Sequence, residues 1–264
     1  MLSCEIRGGV GNQMFQIAAT YALALNNNDE CAFDMDIKRK YRGVVHQGRV
    51  ASTYFNNLYK RVKQIPPEWK PQSYHIEKDG HPYSPIPYRE NLLLNGYFQS
   101  ERYFEGRGED VKKLFIDKEM LWGLRAEFSD MLYGSVSLHV RRGDYVKFPA
   151  VHNMLDKHYY QEALSYIRTQ RDIERIFVFS DDIPWCRDNF NGKEYVFIEG
   201  LEDWEEIYLQ SLCSHNVIAN SSFSWWGAYF NENGSKIVVA PKDWFNPQFD
   251  YDHSKIYTEE MVII

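Results

Sequence analysis

The heptapeptide His139-Val140-Arg141-Arg142-Gly143-Asp144-Tyr145 places two adjacent arginines directly after the alternating run Ser135-Val136-Ser137-Leu138. Strand ends in α/β proteins carry ligands, and a guanidinium is a planar fork of donors that matches phosphate oxygens and stays charged at any working pH. A diphosphate is the ligand this pair suits. The same residues also suit a surface turn in which an arginine pairs with Asp144. Arg-Gly-Asp spells an adhesion tripeptide, but nothing else in the chain points to an extracellular protein.

A second candidate is Ala219-Asn220-Ser221-Ser222-Phe223-Ser224-Trp225-Trp226-Gly227-Ala228-Tyr229, where a strand should end and a helix begin. Asn and Ser are capping types. A helix start offers unbonded N–H groups and the positive end of the dipole, and serine hydroxyls add donors, so phosphate is held well there. Simple capping without a ligand is the alternative. If both segments lie at the carboxyl edge of one parallel sheet, they converge on one anion. A third strand end, Phe177-Val178-Phe179-Ser180-Asp181-Asp182, carries two carboxylates that either accept hydrogen bonds from a nucleobase or ribose or cap the helix that follows.

Near the start, Gly8-Gly9-Val10-Gly11 precedes Asn12 and Gln13. The turn lacks the third glycine and the placed acid of a dinucleotide fingerprint. Gly9 and Gly11 permit close approach of a ligand to the backbone, and Asn12 and Gln13 offer amides to sugar hydroxyls; a tight turn with an Asn cap is the plainer alternative. Asp34-Met35-Asp36 has the spacing of an Asp-x-Asp site for a divalent cation. Because Arg141 and Arg142 can neutralise a diphosphate by themselves, no metal and no other cofactor is expected. His139 either touches the nucleotide or is a satisfied residue within its strand.

The elements that must position these residues follow from periodicity. Residues 2–7 read as a strand, 12–25 as a helix and 31–36 as a second strand, a βαβ unit around the glycine turn. Residues 38–90 show no sustained period. A strand is expected over 92–98 and, after residues 99–104, a helix through Met131. In the second half, strands over 136–140, 175–179, 195–198, 217–219 and 236–240 alternate with helices over 158–169, 184–189, 204–213 and 224–231. That alternation requires a parallel sheet with helices on both faces. The length of 264 residues suits two such α/β domains, 1–130 and 131–264, facing a cleft.

A net charge of −7 without a long Lys/Arg cluster argues against nucleic acid or an anionic membrane as the main partner. Cys4, Cys31, Cys186 and Cys213 lie far apart, as small core residues of a reducing compartment would. No apolar run approaches the roughly 20 residues needed to span a bilayer, and the first strand leaves no room for a signal peptide. A cytoplasmic protein is expected, with peripheral contact at the inner membrane face compatible with it. Aromatic residues make up 16% of the chain, and flat rings suit carbohydrate faces as well as core packing.

Five blocks together carry a resemblance: Gly8-Gly9-Val10-Gly11-Asn12-Gln13-Met14-Phe15-Gln16, Gly96-Tyr97-Phe98-Gln99-Ser100-Glu101-Arg102-Tyr103-Phe104, the arginine heptapeptide, Phe179-Ser180-Asp181-Asp182, and Asn220-Ser221-Ser222-Phe223-Ser224-Trp225-Trp226-Gly227. In this order the chain resembles the α-1,2-fucosyltransferases of glycosyltransferase family 11. The resemblance implies a GT-B architecture of two Rossmann-like domains, an N-terminal one on the acceptor side and a C-terminal one binding GDP-fucose. It also implies an inverting, metal-independent transfer of L-fucose to O2 of a terminal β-galactoside on an oligosaccharide or surface polysaccharide. Arg141 would then hold the β-phosphate of the leaving group, and Arg142 the same diphosphate or the nucleoside. Asn220, Ser221, Ser222, Phe223, Ser224 and Trp225 belong to the donor site, with donors from Ser222, Phe223 and Ser224 on the phosphates. His139, Ser180, Asp181 and Asp182 would lie near the nucleoside, and Gly9, Gly11, Asn12 and Gln13 near the sugar or acceptor. Asp144 either orients the arginines or acts as base; orientation is preferred, because pairing with arginine weakens a carboxylate as a base. The sequence departs from the family at Pro184, where an acidic residue often precedes the tryptophan, here Trp185, and matches it least over 38–90. Transfer in another linkage, or nucleotide-sugar or glycan binding without turnover, are the competing readings.

Overall fold

The computed structural model describes residues 1–35, 51–78, 83–147, 153–249 and 251–264. The chain divides into two compact units, Met1–Asp117 with Tyr251–Ile256, and Lys118–Asp250 with Tyr257–Ile264.

The first unit comprises β1 (Ser3–Cys4), α1 (Val10–Asn26), β2 (Ser73–Ile76), β3 (Leu92–Asn95) and α2 (Gly108–Phe115), with 3-10 turns at Ala51–Tyr54 and Glu101–Phe104. Its sheet has the order β1-β3-β2, all parallel, with Ser3 opposite Leu93 and Ser73 opposite Leu92. Leu92, Leu93 and Leu94 are all buried, as a central parallel strand requires. α1 buries apolar Met14, Phe15 and Ile17 together with polar Gln13 and Gln16. These amides have work to do: Gln16 accepts from Arg7 N at 2.9 Å and donates to Arg7 O at 3.2 Å, and Gln13 donates to Gly8 O at 2.9 Å. Polar groups on the buried face of the helix thus close the backbone of the loop leaving β1.

Three expectations fail here. The strand over 31–36 is reduced to isolated bridges of Cys31 with Leu2 and Phe33 with Gln64, and Asp36 lies outside the described residues. β2 falls within the stretch where no strand was foreseen, because its alternation is inverted: Tyr74 and Ile76 are exposed while Ser73 and His75 are half-buried. The long helix after the β3 loop is broken at Ile116, which is extended (φ −79°, ψ 118°), and at Asp117, buried in an ion pair with Lys60.

The second unit comprises α3 (Lys118–Glu127), α4 (Ser129–Leu132), β4 (Ser135–Val140), α5 (Gly143–Lys147), α6 (Lys157–Arg168), β5 (Arg175–Ser180), α7 (Ile183–Asn189), β6 (Tyr195–Phe197), α8 (Asp203–Leu212), β7 (His215–Val217), α9 (Ser222–Phe230), β8 (Val238–Ala240) and β9 (Met261–Ile263). The change of unit comes at Asp117 rather than near residue 130, because α3 packs on α8. α5 and β9 were not foreseen; the other elements stand where the alternation put them.

Six parallel strands run in the order β6-β5-β4-β7-β8-β9. Counted from β4 as the first strand, this is the doubly wound order 3-2-1-4-5-6, whose direction reverses between β4 and β7. Helices cover both faces. Ile176 and Val178 of β5 pack with Tyr160, Leu164 and Ile167 of α6, whereas Phe177 and Phe179 pack with Ile198 and Leu209 on the other side. β4 is buried along its whole length, but only Val136, Leu138 and Val140 enter the α6 side. Its alternate residues are Ser135, Ser137 and His139, so the strand keeps one polar face, and Ser137 Oγ accepts from Asn216 Nδ2 at 2.7 Å. All four cysteines are free, with Cys4, Cys186 and Cys213 buried.

Candidate active site

The arginines stand at the carboxyl end of β4, on the switch point. Each is held by a carboxylate from the end of β5. Arg141 Nη1 lies 2.7 Å from Asp181 Oδ2, and Arg142 Nε lies 3.1 Å from Asp182 Oδ2. Arg142 N also donates to Asp181 Oδ1 at 2.8 Å. The two strand ends meet this closely because residue 143 is glycine: a Cβ there would stand 2.6 Å from Asp181 Oδ2. Asp182 does two jobs, since its other oxygen accepts from Trp185 N at 3.2 Å and caps α7, while Ser180 Oγ accepts from Asp182 N at 2.9 Å. Of the two roles foreseen for the Asp181–Asp182 pair, capping is seen at Asp182, and orientation of the arginines is a function that the sequence reading had assigned to Asp144. The Asp144 side chain lies outside what the structure describes.

Opposite, α9 begins directly after β7. Ser221 is its N-cap, accepting from Phe223 N at 3.3 Å, and Ser221, Ser222 and Phe223 are partly exposed. These residues form the N-terminal end of the helix, following the strand next to the one that carries the arginines. Three residues placed at the donor site turn inward instead. Ser224 is fully buried with Oγ 2.9 Å from His139 Nδ1. Trp225 is fully buried against Tyr229, ring centroids 4.9 Å apart. Asn220 is buried, its Nδ2 donating to Asn153 O and Trp244 O at 2.9 Å each, which anchors the strand-to-helix turn. The helix is buried from Ser224 through Ala228 and again at Phe230, so Ser224 and Trp225 lie inside with it.

His139 forms the wall between strand and helix, 5% exposed and with its ring 5.1 Å from that of Phe223. Burial first, and then the nearby Arg141, push its pKa down to about 3 against the opposing pull of Asp181. It is neutral at physiological pH, a structural imidazole bridging β4 and α9.

In the first unit, the loop after β1 was expected to offer Gly9, Gly11, Asn12 and Gln13. Gly8 takes a left-handed φ of +81°, and Gly9 has nothing within 4 Å of its Cβ position, so a ligand can approach its backbone. Helix α1 already begins at Val10, which places Gly11 inside its first turn. Gln13 is fully buried, bonded to Gly8 O and accepting from Tyr59 OH at 3.3 Å, so it holds the loop and does not face a ligand. Asn12 is partly exposed and accepts from Gln99 Nε2 at 2.6 Å. On the same sheet edge, the Arg7 guanidinium lies 4.7 Å from the Tyr97 ring centroid.

Three further residues, none given a role from the sequence, bear on the arginine pair. The Arg142 guanidinium lies 4.1 Å from the Trp185 ring centroid. Tyr145 stands below Arg141 at 5.6 Å and donates from its hydroxyl to Asn220 O at 2.8 Å, joining the β4 and β7 ends. Glu206, on the first turn of α8, is pushed up to about 8 by burial, with Asp203 and Asp181 adding to the shift. Periodicity could have found Trp185, three residues past the Asp182 cap; Glu206 had no signal in a run of acidic helix-start residues.

Paired arginines and a serine-capped helix start at the switch point of a doubly wound sheet are an arrangement whose chemistry suits an anion. The whole chain, residues 1–264, matches the Glycosyl transferase family 11 model, and the protein belongs to that family. It is 30% identical to the O-antigen biosynthesis glycosyltransferase WbnK of Escherichia coli, with 93% of this chain and 95% of that protein covered. It is 29% identical to an alpha-1,2-colitosyltransferase of Escherichia coli over 91% of each. It is 28% identical to the galactoside 2-alpha-L-fucosyltransferase SEC1 of Bos taurus over 91% of this chain and 67% of that one. The family resemblance read from the five blocks is thereby confirmed, and both units are α/β with parallel sheets, as a GT-B chain requires of each half. No helix among the described residues is long and apolar enough to cross a membrane.

Proposed function

We propose that this glycosyltransferase moves L-fucose from GDP-fucose to O2 of a terminal β-galactoside with inversion and without a metal. The observation that carries the reading is the placement of Arg141, Arg142 and the α9 start at the carboxyl ends of the neighbouring strands β4 and β7, supported by α-1,2-transferases among the relatives. In this reaction O2 attacks C1 of the fucosyl group as the bond from C1 to the β-phosphate oxygen breaks. The hydroxyl proton passes to a base and GDP leaves with the bonding electrons. Negative charge grows on the β-phosphate, and donors already oriented toward it lower the barrier without reorganising. Arg142 spends Nε on Asp182 and keeps its terminal Nη groups for the ligand. Displacing Asp181 from Arg141 exchanges one anion for another, so the guanidinium is never left uncompensated.

The test is GDP release and product mass from GDP-fucose in excess EDTA, with lactose and without acceptor. Lactose-dependent release with a fucosyl-lactose product supports the reading. Release restored only by manganese would return the diphosphate to a metal-dependent site such as Asp34 and Asp36. Colitose is the competing sugar, since one relative bears that name; a higher kcat/KM with its GDP derivative than with GDP-fucose would replace fucose as the donor.

A further inference from the structure

We infer that Glu77 is a positioning residue for the acceptor side of the reaction, and that Gln99 is the side chain it positions; this rests on the function proposed above. Glu77 follows β2 directly, and its N–H donates to Asn95 O at 2.8 Å, which continues the pairing with β3. Its carboxylate then reaches across to the loop leaving β3. Oε2 accepts from Tyr97 N at 2.6 Å and from Phe98 N at 3.0 Å, and Oε1 accepts from Tyr103 OH at 3.3 Å. Charge-assisted bonds of this kind are about twice as strong as neutral ones.

The loop needs that support. Phe98 has φ +51°, a left-handed conformation that a bulky side chain rarely adopts. Its ring is fully buried and stands edge-on to Tyr103 at 5.2 Å. Gly96 is obligatory, since a Cβ there would lie 2.4 Å from Glu77 Cβ. The next residue after the strained turn is Gln99, whose Nε2 meets Asn12 Oδ1 at 2.6 Å. The carboxylate therefore sets where a partly exposed glutamine amide meets a partly exposed asparagine amide, beside Tyr97 and Arg7. Amides, a guanidinium and a ring on one sheet edge suit a hexopyranoside, whose hydroxyls pair with the polar groups and whose apolar face lies on the ring. Strain held by a partly buried network at such an edge is better explained by a ligand than by chain reversal alone.

The experiment uses the full chain with GDP-fucose and lactose, comparing wild type, Glu77→Gln and Gln99→Ala. Both variants are expected to raise KM for lactose about tenfold while the Kd for GDP stays within about twofold, the pattern of a lost contact to one substrate only. Unchanged lactose kinetics in both variants would overturn the inference, as would an equal loss of GDP affinity. Amide hydrogen exchange supplies a second readout independent of turnover. Glu77→Gln should lose protection at Tyr97 and Phe98 with α6 unaffected, and retained protection there would refute the positioning role. If wild type fucosylates no galactoside, the proposed function falls, and the exchange result alone still decides what Glu77 does.

Discussion

The guanidinium carbon of Arg142 lies 4.1 Å from the ring centroid of Trp185, while its Nε is tied to Asp182, the residue that caps the helix carrying Trp185. One short segment therefore supplies both the carboxylate and the ring that hold the arginine. A cation over an aromatic face contributes about 1 kcal/mol when partly exposed. Trp185→Ala should weaken GDP binding roughly fivefold, and Trp185→Phe should restore most of it. Isothermal titration with GDP measures both; equal affinities for all three proteins would leave Trp185 as packing.

Arg141 should matter more to rate than to binding, because charge grows on the diphosphate only as the bond breaks. Arg141→Ala is expected to lower kcat by roughly 100-fold to 1,000-fold, the range for removal of one preorganised donor. The fold should persist, since Arg141 is partly exposed and outside the apolar core. Arg141→Lys keeps charge without the fork and should recover little. Wild-type turnover in the alanine protein, with an unchanged circular dichroism spectrum, would remove Arg141 from the mechanism. Gly143→Ala offers a separate check, because its Cβ displaces Asp181 and should cost roughly 100-fold through misplacement alone.

The arginine pair, the serine-rich turn and the strand alternation of the second unit were readable because a parallel sheet buries both faces and punctuates each strand with a helix start. Site composition was less readable than site location. Asn220, Ser224 and Trp225 stand in the strand-to-helix segment read from the sequence, but how α9 is buried depends on packing with β7 and α8, and that places them inside. Gln13 looked like a sugar contact because amides serve both roles; only the distance to Gly8 O shows that it is spent on the backbone. β2 was hidden because its apolar residues face outward, the reverse of the pattern that identifies a strand. Glu77, at its end, was hidden with it.

His139 gives the chain an acid sensitivity of definite sign. Buried beside Ser224, it stays neutral down to about pH 3, whereas in the unfolded chain it protonates near its ordinary value of 6.5. Between those values the unfolded state binds the extra proton, so stability is full above about 6.5 and falls as the pH is lowered toward 3. Urea unfolding across this window should show the slope, and His139→Gln should flatten it. A slope that survives the substitution would assign the sensitivity to other groups.

Glu206 acts in the opposite sense and couples stability to the ligand site. Burial, then Asp203 and Asp181, hold its carboxyl protonated up to about 8, while the unfolded chain loses that proton near the ordinary 4.5. Over this interval the folded state carries the extra proton, so stability declines as the pH rises and is lowest above about 8. Glu206→Gln should abolish the decline and leave the variant more stable than wild type at alkaline pH. The influence of Asp181 on Glu206 adds a binding consequence, because Asp181 is also the partner of Arg141. A diphosphate placed on the arginines brings further negative charge toward Glu206 and favours its protonated form. GDP affinity of wild type should then fall as the pH passes through about 8, and the glutamine variant should hold its affinity across the same range. Parallel loss in both proteins would place the titrating group elsewhere, whereas a difference confined to wild type would put Glu206 within electrostatic reach of the bound diphosphate.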